Sequence, residues 1–383
     1  MIAEVIFWLS FFAILYPYLG YPILLLVFSI IRNKAVKKGN IMPVVSLAIS
    51  AYNEEKVIAE KIRNSLQLDY PEDYLEIAVI SDGSTDMTND IIAEYAKKNH
   101  RIRPYVSPKN KGKTSCLNDF VPFLKGEIIL FTDANSFLDK DVVHNIVRPF
   151  ADPKVGFVTG ITKYITLSQD KTVEVADLYS RMEAYIKCLE SKIGSCAGAD
   201  GAIFAIRKKL FSPMKSNDIN DFVLPIQVVK QGFRGIVEEK AFCREEVVND
   251  VKGEFNRQIR ITARTLRAIL SYKTLLNPFR YPLFSFEIFS HKLIKFTTPF
   301  WMILIFIANI YLATKGFLMY QISGVIQIFF YLFAAIGFLK KKDRGKWKLF
   351  DLSHSFLMVN LAYALGWFRY LKGDTYTSWL PKR

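Results

Sequence analysis

The chain has 383 residues, 51% of them hydrophobic and 14% aromatic, yet charged residues still make up 23%. That balance excludes a disordered, collagen-like or disulfide-framework protein and carries too much charge for a pure membrane bundle, so it points to a water-soluble domain joined to membrane segments. A formal charge of +15, from 51 Lys and Arg against 36 Asp and Glu, calls for an anionic partner: nucleic acid, lipid headgroups or a phosphorylated substrate.

The N-terminal tract from Val5 to Ile31 contains no charged residue. At about 1.5 Å per helical residue it crosses a hydrocarbon core of about 30 Å, with Pro17, Gly20 and Pro22 supplying a kink. It lacks the basic start and short apolar core of a cleaved signal peptide. Lys34, Lys37 and Lys38 follow, so the positive-inside rule puts residue 33 onward in the cytoplasm and the N-terminus outside.

Between residues 41 and 165, short apolar runs alternate with helical patterns. Strands are expected over 44–49, 75–80, 102–106 and 127–131, with helices over 54–67, 86–98 and 115–124. Alternation at this spacing predicts a mostly parallel, doubly wound sheet, which binds ligands beyond the C-terminal ends of its strands. Three strand ends thereby become candidates: Ala51-Tyr52-Asn53, Ser81-Asp82-Gly83 and Asp133-Ala134-Asn135. Taken alone, Asp82-Gly83-Ser84-Thr85-Asp86 reads either as a turn capping the next helix or as a carboxylate aimed into the crevice. Asp133 reads either as a helix cap or as a hard oxygen ligand for a divalent cation. The four cysteines, Cys116, Cys188, Cys196 and Cys243, have no C-x-x-C spacing and read as reduced, packed thiols.

The stretch from Lys252 to Lys295 carries Arg257, Arg260, Arg264, Arg267, Lys273, Arg280 and Lys292, with apolar residues near helical spacing. It reads as amphipathic helices on the inner membrane face, holding anionic lipid and a lipid-linked acceptor, or as a solvated helix face. No nucleic-acid-binding motif is present. Two charge-free runs, 296–314 and 316–339, form a membrane hairpin, followed by a basic loop at 340–348. A third run, 350–368, contains Asp351, His354 and Asn360 and reads as a span or as an interfacial helix. The expected organisation is an N-terminal membrane helix (1–33), a cytosolic domain (41–250), basic interface helices (251–295), membrane helices (296–371) and a tail (372–383).

The ordered motifs Val45 to Glu55, Ile80 to Asp86, Lys111-Gly112-Lys113 with Leu117-Asn118, Phe131 to Asn135, Gly198 to Arg207 and Asn220 to Pro225 resemble family 2 glycosyltransferases. The likeness covers roughly residues 44–265. It implies an α/β GT-A fold, Rossmann-like with a mostly parallel sheet, flanked by transmembrane helices at the plasma (inner) membrane. It also implies a nucleotide-sugar donor, UDP-linked, and a glycan or lipid-linked acceptor in surface glycan synthesis. Carried over by position, Ala51, Tyr52, Asn53, Glu54 and Asp82 would hold the nucleoside, and Lys113 the nucleotide or its diphosphate. The family's D-x-D falls on Asp133 and Asn135, which would hold Mg²⁺ or Mn²⁺, with a neutral amide where the last carboxylate usually stands. Asp221 would be the general base, and Asp200, Gly201, Arg257 and Arg260 would face the acceptor. The family's closing Q-x-x-R-W falls on Arg257 to Ile261, with Ile261 in place of the Trp, which implies addition of one or a few sugars rather than long-chain synthesis. A transporter, and a catalytically inactive scaffold in a glycan-assembly complex, are the readings from other classes.

Overall fold

A computed structural model describes residues 1–165, 173–246, 251–339 and 348–375. They fall into two compact units. The helical unit takes the described residues within Met1–Phe28, Thr166–Met182 and Asn249–Asp374, and the α/β unit those within Ser29–Ile165, Glu183–Val248 and Thr375–Arg383.

Among the described residues, three helical stretches are long and apolar enough to cross a membrane: Ile2–Ile31, Pro282–Ala313 and Leu318–Leu339. The first comprises α1 (Ile2–Leu15) and α2 (Tyr21–Ile31), joined without a break by a π-helical turn over Tyr16–Gly20 that contains the buried Pro17. The expected kink is therefore a π-bulge, which absorbs the carbonyl clash a proline introduces into a regular helix.

The α/β unit begins with β1 (Val45–Ala51), all seven residues of which are buried. There follow α3 (Ile58–Leu66), β2 (Leu75–Ser81), α4 (Thr88–Lys98), β3 (Ile102–Val106), α5 (Lys113–Phe120) and β4 (Ile128–Asp133). Next come β5 (Phe137–Leu138), α6 (Val142–Val147), β6 (Val155–Ile165), α7 (Val173–Ile193, whose residues from Glu183 on belong to this unit), β7 (Ile203–Arg207), α8 (Asn220–Lys230) and β8 (Arg234–Glu246). They build one eight-stranded sheet in the order β3-β2-β1-β4-β7-β6-β8-β5. The half made of β3, β2, β1 and β4 is parallel throughout. Beyond it β7 runs antiparallel to both β4 and β6. Continuous apolar runs such as Leu47 to Ile49 suit a strand covered on both faces, and they form the main core with Ile58 and Ile62 of α3.

In the helical unit, α9 (Val251–Ser271) is amphipathic, with Ala263, Leu266 and Ile269 buried and Arg257 exposed. Then come α10 (Pro282–Glu287), a π segment (Ile288–Ile294), α11 (Lys295–Ala313), α12 (Leu318–Leu339) and α13 (Lys348–Leu371). The second long helix starts at Pro282, well before residue 296, where the charge pattern begins the apolar run. Glu287, His291 and Lys295 lie at four-residue spacing and are buried inside this unit, so the helix continues through them instead of stopping at water. The run at 350–368 is helical within α13 but falls outside the three stretches apolar enough to span. Residues 340–347, which carry most of the expected basic loop, and 376–383 of the expected tail lie outside the described residues.

Candidate active site

The C-terminal ends of β1, β2 and β4 lie side by side in register, Ala51 opposite Ser81 and Ser50 opposite Asp133. The three motifs picked out by strand position thus share one sheet edge. A crevice there is lined by Ser50, Ala51, Ile80, Asp82, Lys113 and Cys116.

At the β1 and β2 ends, the motifs are stitched to each other. Asn53 adopts a left-handed backbone, φ 53°, which its short amide side chain tolerates. Its backbone N–H donates to Ser84 Oγ at 3.1 Å, and its Oδ1 accepts from the Thr85 N–H at 2.8 Å. The Glu54 N–H donates to Thr88 Oγ1 at 2.8 Å and the Glu55 N–H to Asp86 Oδ2 at 3.1 Å. Asp86 Oδ1 also accepts the Thr88 N–H. Burial acts to raise the Asp86 pKa, but the hydrogen bonds from Thr88 and Glu55 outweigh it and hold the carboxyl below its ordinary value. Helix capping and the turn are therefore both present in this motif, with Asp86 rather than Ser84 or Thr85 receiving the first helical N–H.

Asp82 is buried and accepts three hydrogen bonds. Lys111 N–H donates to Oδ1 and Gly112 N–H to Oδ2, both at 2.8 Å, and Cys116 Sγ–H donates to Oδ1 at 3.1 Å. Gly83 makes this possible. Its φ is +65°, and a Cβ there would lie 2.3 Å from the Lys109 carbonyl carbon, so any side chain would push away the loop that delivers these donors. Burial and the neighbouring Asp82 raise the Cys116 thiol to about 12, which keeps it a protonated donor.

The loop ends in α5, whose first residue, Lys113, reaches Asp133 Oδ1 at 2.5 Å. Asp133 and Asn135 are half-buried. No helix follows for Asp133 to cap, because β5 intervenes and α6 begins only at Val142. The donor set at this turn is one carboxylate and one amide oxygen, hard ligands of the kind Mg²⁺ and Mn²⁺ accept. Among the described residues no cluster of three His, Cys, Asp or Glu exists to complete a protein-only cage. The Asp133 carboxylate and the Asn135 amide oxygen could supply two ligands of such an ion, and the carboxylate is here held by the Lys113 ammonium.

Helix α5 also organises the opposite wall. Thr114 Oγ1 donates to the Asp218 carbonyl at 2.8 Å, and the Asn118 amide pairs with Met214 N–H and C=O, fixing the segment that leads into α8. Asp221 lies in the first turn of α8, after the cap position at Ile219, so it is not the N-cap. That end of a helix favours negative charge. The loop over Gly198 to Gly201 folds onto it: Ala199 N–H donates to the Asp221 carbonyl at 2.8 Å, and a Cβ on Gly201 would come within 2.7 Å of Asp221 Oδ2. Asp200 does not project freely. Its carboxylate accepts from the Thr162 and Ala202 N–H groups, and its own N–H donates to Thr159 Oγ1. Arg257 and Arg260 lie on α9, in the helical unit, where Arg257 Nε donates to Glu254 at 2.7 Å.

One charged residue at this edge escaped the motif reading. Lys61, on the inward face of α3 with Ile58, Ile62 and Ser65, is fully buried. Its ammonium donates to Thr132 Oγ1 at 3.0 Å and to the Ser136 carbonyl. Burial lowers it to about 8, with Asp133 and Glu245 pulling in the other direction. The signal in the sequence is a lysine at a core-facing helical position.

Residues 46–213 match the family model described as glycosyl transferase family 2. A beta-monoglucosyldiacylglycerol synthase from Trichormus variabilis is 35% identical over 142 residues, 37% of this chain and 30% of that protein. A poly-beta-1,6-N-acetyl-D-glucosamine synthase from Staphylococcus epidermidis is 32% identical over 170 residues, 43% of this chain and 39% of that protein. The matches thus span well under half the length of these curated relatives. A mannosyltransferase from Pyrobaculum calidifontis, solved with GDP-Man and Mn²⁺, superposes with a TM-score of 0.73 at 20% identity, covering 97% of this chain and 99% of that one. Residues 46–213 thus match a glycosyl transferase family 2 domain, and the chain has a GT-A fold.

Proposed function

We propose that the protein is a membrane-bound inverting glycosyltransferase that moves a sugar from a nucleotide-sugar donor, UDP-linked, to a lipid-linked or polysaccharide acceptor in surface glycan synthesis. The observation that carries this reading is the shared edge where Asp82 anchors the Lys111–Gly112 loop, Lys113 meets Asp133, and the same helix α5 ties down the approach to Asp221. The nucleoside sits against Ala51 to Glu54 in the crevice floored by Asp82. Lys113 and the Asp133–Asn135 turn face the diphosphate. Lys113 then exchanges its carboxylate partner for phosphate oxygens as the donor enters, a trade between two anions of similar geometry.

Asp133 and Asn135 would hold a divalent cation, Mg²⁺ or Mn²⁺, which when bound offsets the charge that builds on the departing nucleoside diphosphate. Asp221 takes the proton of the acceptor hydroxyl as its oxygen bonds to the anomeric carbon from the face opposite the leaving group. Gly201 leaves the room that Asp221 Oδ2 occupies, and the Asp200 loop shapes the acceptor side. Arg257 and Arg260 of α9 serve the anionic part of a lipid-linked acceptor. The apolar helices anchor the chain as a multi-pass protein with the α/β unit in the cytosol. With Ile261 where an aromatic platform would stand, the enzyme adds one or a few sugars, since an aliphatic side chain lacks the flat π-face on which a sugar stacks.

Membranes carrying the protein, offered a panel of UDP- and GDP-linked sugars and read by mass spectrometry of lipid-linked products, test the proposal. Release of nucleoside diphosphate with a mass gain of one or a few sugars on the acceptor supports it. Absence of transfer with every donor, in a chain that still folds, makes the protein a scaffold instead.

A further inference from the structure

Helix α3 contributes none of the family-like motif residues, yet two of its side chains, one turn apart, grip the segment that contains Asp133 and Asn135. The Lys61 ammonium bonds Thr132 Oγ1, just before the turn, and the Ser136 carbonyl, just after it. Asn64 completes the hold: its Nδ2 donates to the Leu138 carbonyl and its Oδ1 accepts from the Leu138 N–H, both at 2.9 Å. From the other side, Ser136 Oγ donates to the Glu245 carboxylate of β8. We propose that Lys61 is a positioning residue for donor binding, a buried cation that brackets the Asp133-Ala134-Asn135 turn and holds its two oxygen ligands at the spacing a cation–diphosphate pair requires.

The physical case rests on cost. An ammonium with no solvent contact is costly to desolvate, and an apolar side chain of similar length would fill the same space without that cost. Lys61 lies among Ile58, Ile62 and Ser65 on a helix face that otherwise belongs to the core. What the lysine supplies and a methionine could not is a donor with three hydrogens, able to bind a hydroxyl and a carbonyl on opposite sides of one turn. The Thr132 hydroxyl and the Ser136 carbonyl are otherwise buried acceptors at the end of a sheet. The ammonium also acts electrostatically on Asp133, the carboxylate that Lys113 contacts directly. With a neutral Asn135 in the turn, two cations thus act on Asp133, and the Glu245 carboxylate of β8 is the other acidic group near Lys61, a balance that suits a site whose visitor is a diphosphate. Groups that orient metal-ligating side chains without touching the metal typically change affinity by about 10-fold to 100-fold when removed.

The inference rests on the donor-site reading above, and the test separates the two. Titration calorimetry of the full chain in detergent, with UDP and separately with GDP, each with and without Mn²⁺, is compared with thermal melting for the native chain, Lys61→Met and Thr132→Val. The expected result is a Lys61→Met protein that still folds, melting somewhat below the native temperature because two buried acceptors lose their donor, but that loses about 10-fold or more of its Mn²⁺-dependent nucleoside diphosphate affinity. Its Mn²⁺-independent affinity stays within about twofold. Thr132→Val, which removes one acceptor of the same ammonium and no charge, moves Mn²⁺-dependent affinity the same way by about threefold. Should Lys61→Met fail to fold, Thr132→Val alone decides. Native binding with unchanged Mn²⁺-dependent affinity in the folded variants overturns the role of Lys61 and leaves the donor site standing. No binding of either nucleotide by the native chain overturns the donor-site reading and this inference with it.

Discussion

Two stretches of the same sheet edge use their polar residues in opposite ways. At the β1 and β2 ends, Asn53, Asp82 and Asp86 spend their side-chain oxygens on backbone N–H groups of neighbouring loops, and Asp82 is sealed from solvent. At the β4 and α8 ends, Asp133 faces a lysine ammonium, and Asp221 lies beside a glycine that keeps space open. A carboxylate bound by fixed backbone donors defines shape, because moving it would strand buried N–H groups. A partly exposed carboxylate whose partner is another side chain can exchange that partner for a ligand. Motif residues of one chemical type are thus divided into those that build the crevice and those available to what enters it.

The largest effect is expected at Asp221. Asp221→Asn should lower transfer by about 10²-fold to 10⁴-fold while leaving UDP affinity unchanged, because the proposed base acts only on the acceptor. Turnover beside calorimetry checks it, and an equal fall in UDP affinity would move Asp221 to the donor side.

Asp82 and Asp133 sharpen the contrast directly. Asp82→Ala removes three acceptor bonds at a buried site and should destabilise the fold by about 2–4 kcal/mol, seen as a shifted denaturant midpoint. Asp133→Ala breaks only a partly exposed ion pair and should change stability by about 1 kcal/mol or less, yet it should weaken cation-dependent UDP binding. The reverse pattern, a stable Asp82 variant and an unstable Asp133 one, would break the division.

Gly201→Ala should slow transfer by about tenfold, since the new methyl overlaps the space of Asp221 Oδ2 and tilts the carboxylate. Melting temperature and UDP binding should hardly move. A full-speed Gly201→Ala enzyme would show that the orientation of Asp221 is set from another side.

Asn135→Asp adds a second charged ligand at the turn and should tighten cation binding several-fold, with Mg²⁺ gaining more than Mn²⁺ because its geometry is stricter. Transfer titrated with each metal reports it. If excess chelator leaves transfer of the native enzyme undiminished, the positive charge at the diphosphate comes from lysines alone.

Asp86→Asn should have the smallest effect, about 1 kcal/mol near neutral pH. The native carboxyl is held below its ordinary value, so its contribution is complete above about pH 4 and disappears as the pH falls through the folded-state value. The native and Asp86→Asn midpoints should therefore converge in acid. A gap that persists there would assign the effect to packing instead of charge.

Local chemistry alone determined much of this protein. Apolar runs such as Val45 to Ile49 can only be buried strands, the Val5 to Ile31 tract can only be an apolar helix of spanning length, and strand–helix alternation fixes which strand ends meet. The candidate strand ends at 51–53, 81–83 and 133–135 follow from that rule, because a parallel sheet brings its C-terminal ends together whatever their separation in the chain, whereas Glu54 and Lys113 enter only through the family resemblance. The tertiary structure alone decided what each side chain does there. That Asp82 is consumed by the Lys111–Gly112 loop, that Gly201 shields the space of Asp221, and that Lys61 reaches the turn beyond β4 all depend on partners 20 to 75 positions away in sequence. A pattern of residue types records preference for water or for a helix. It carries no record of which buried donor meets which acceptor, since that pairing is settled only when the packed core leaves each polar group a single neighbour to bond.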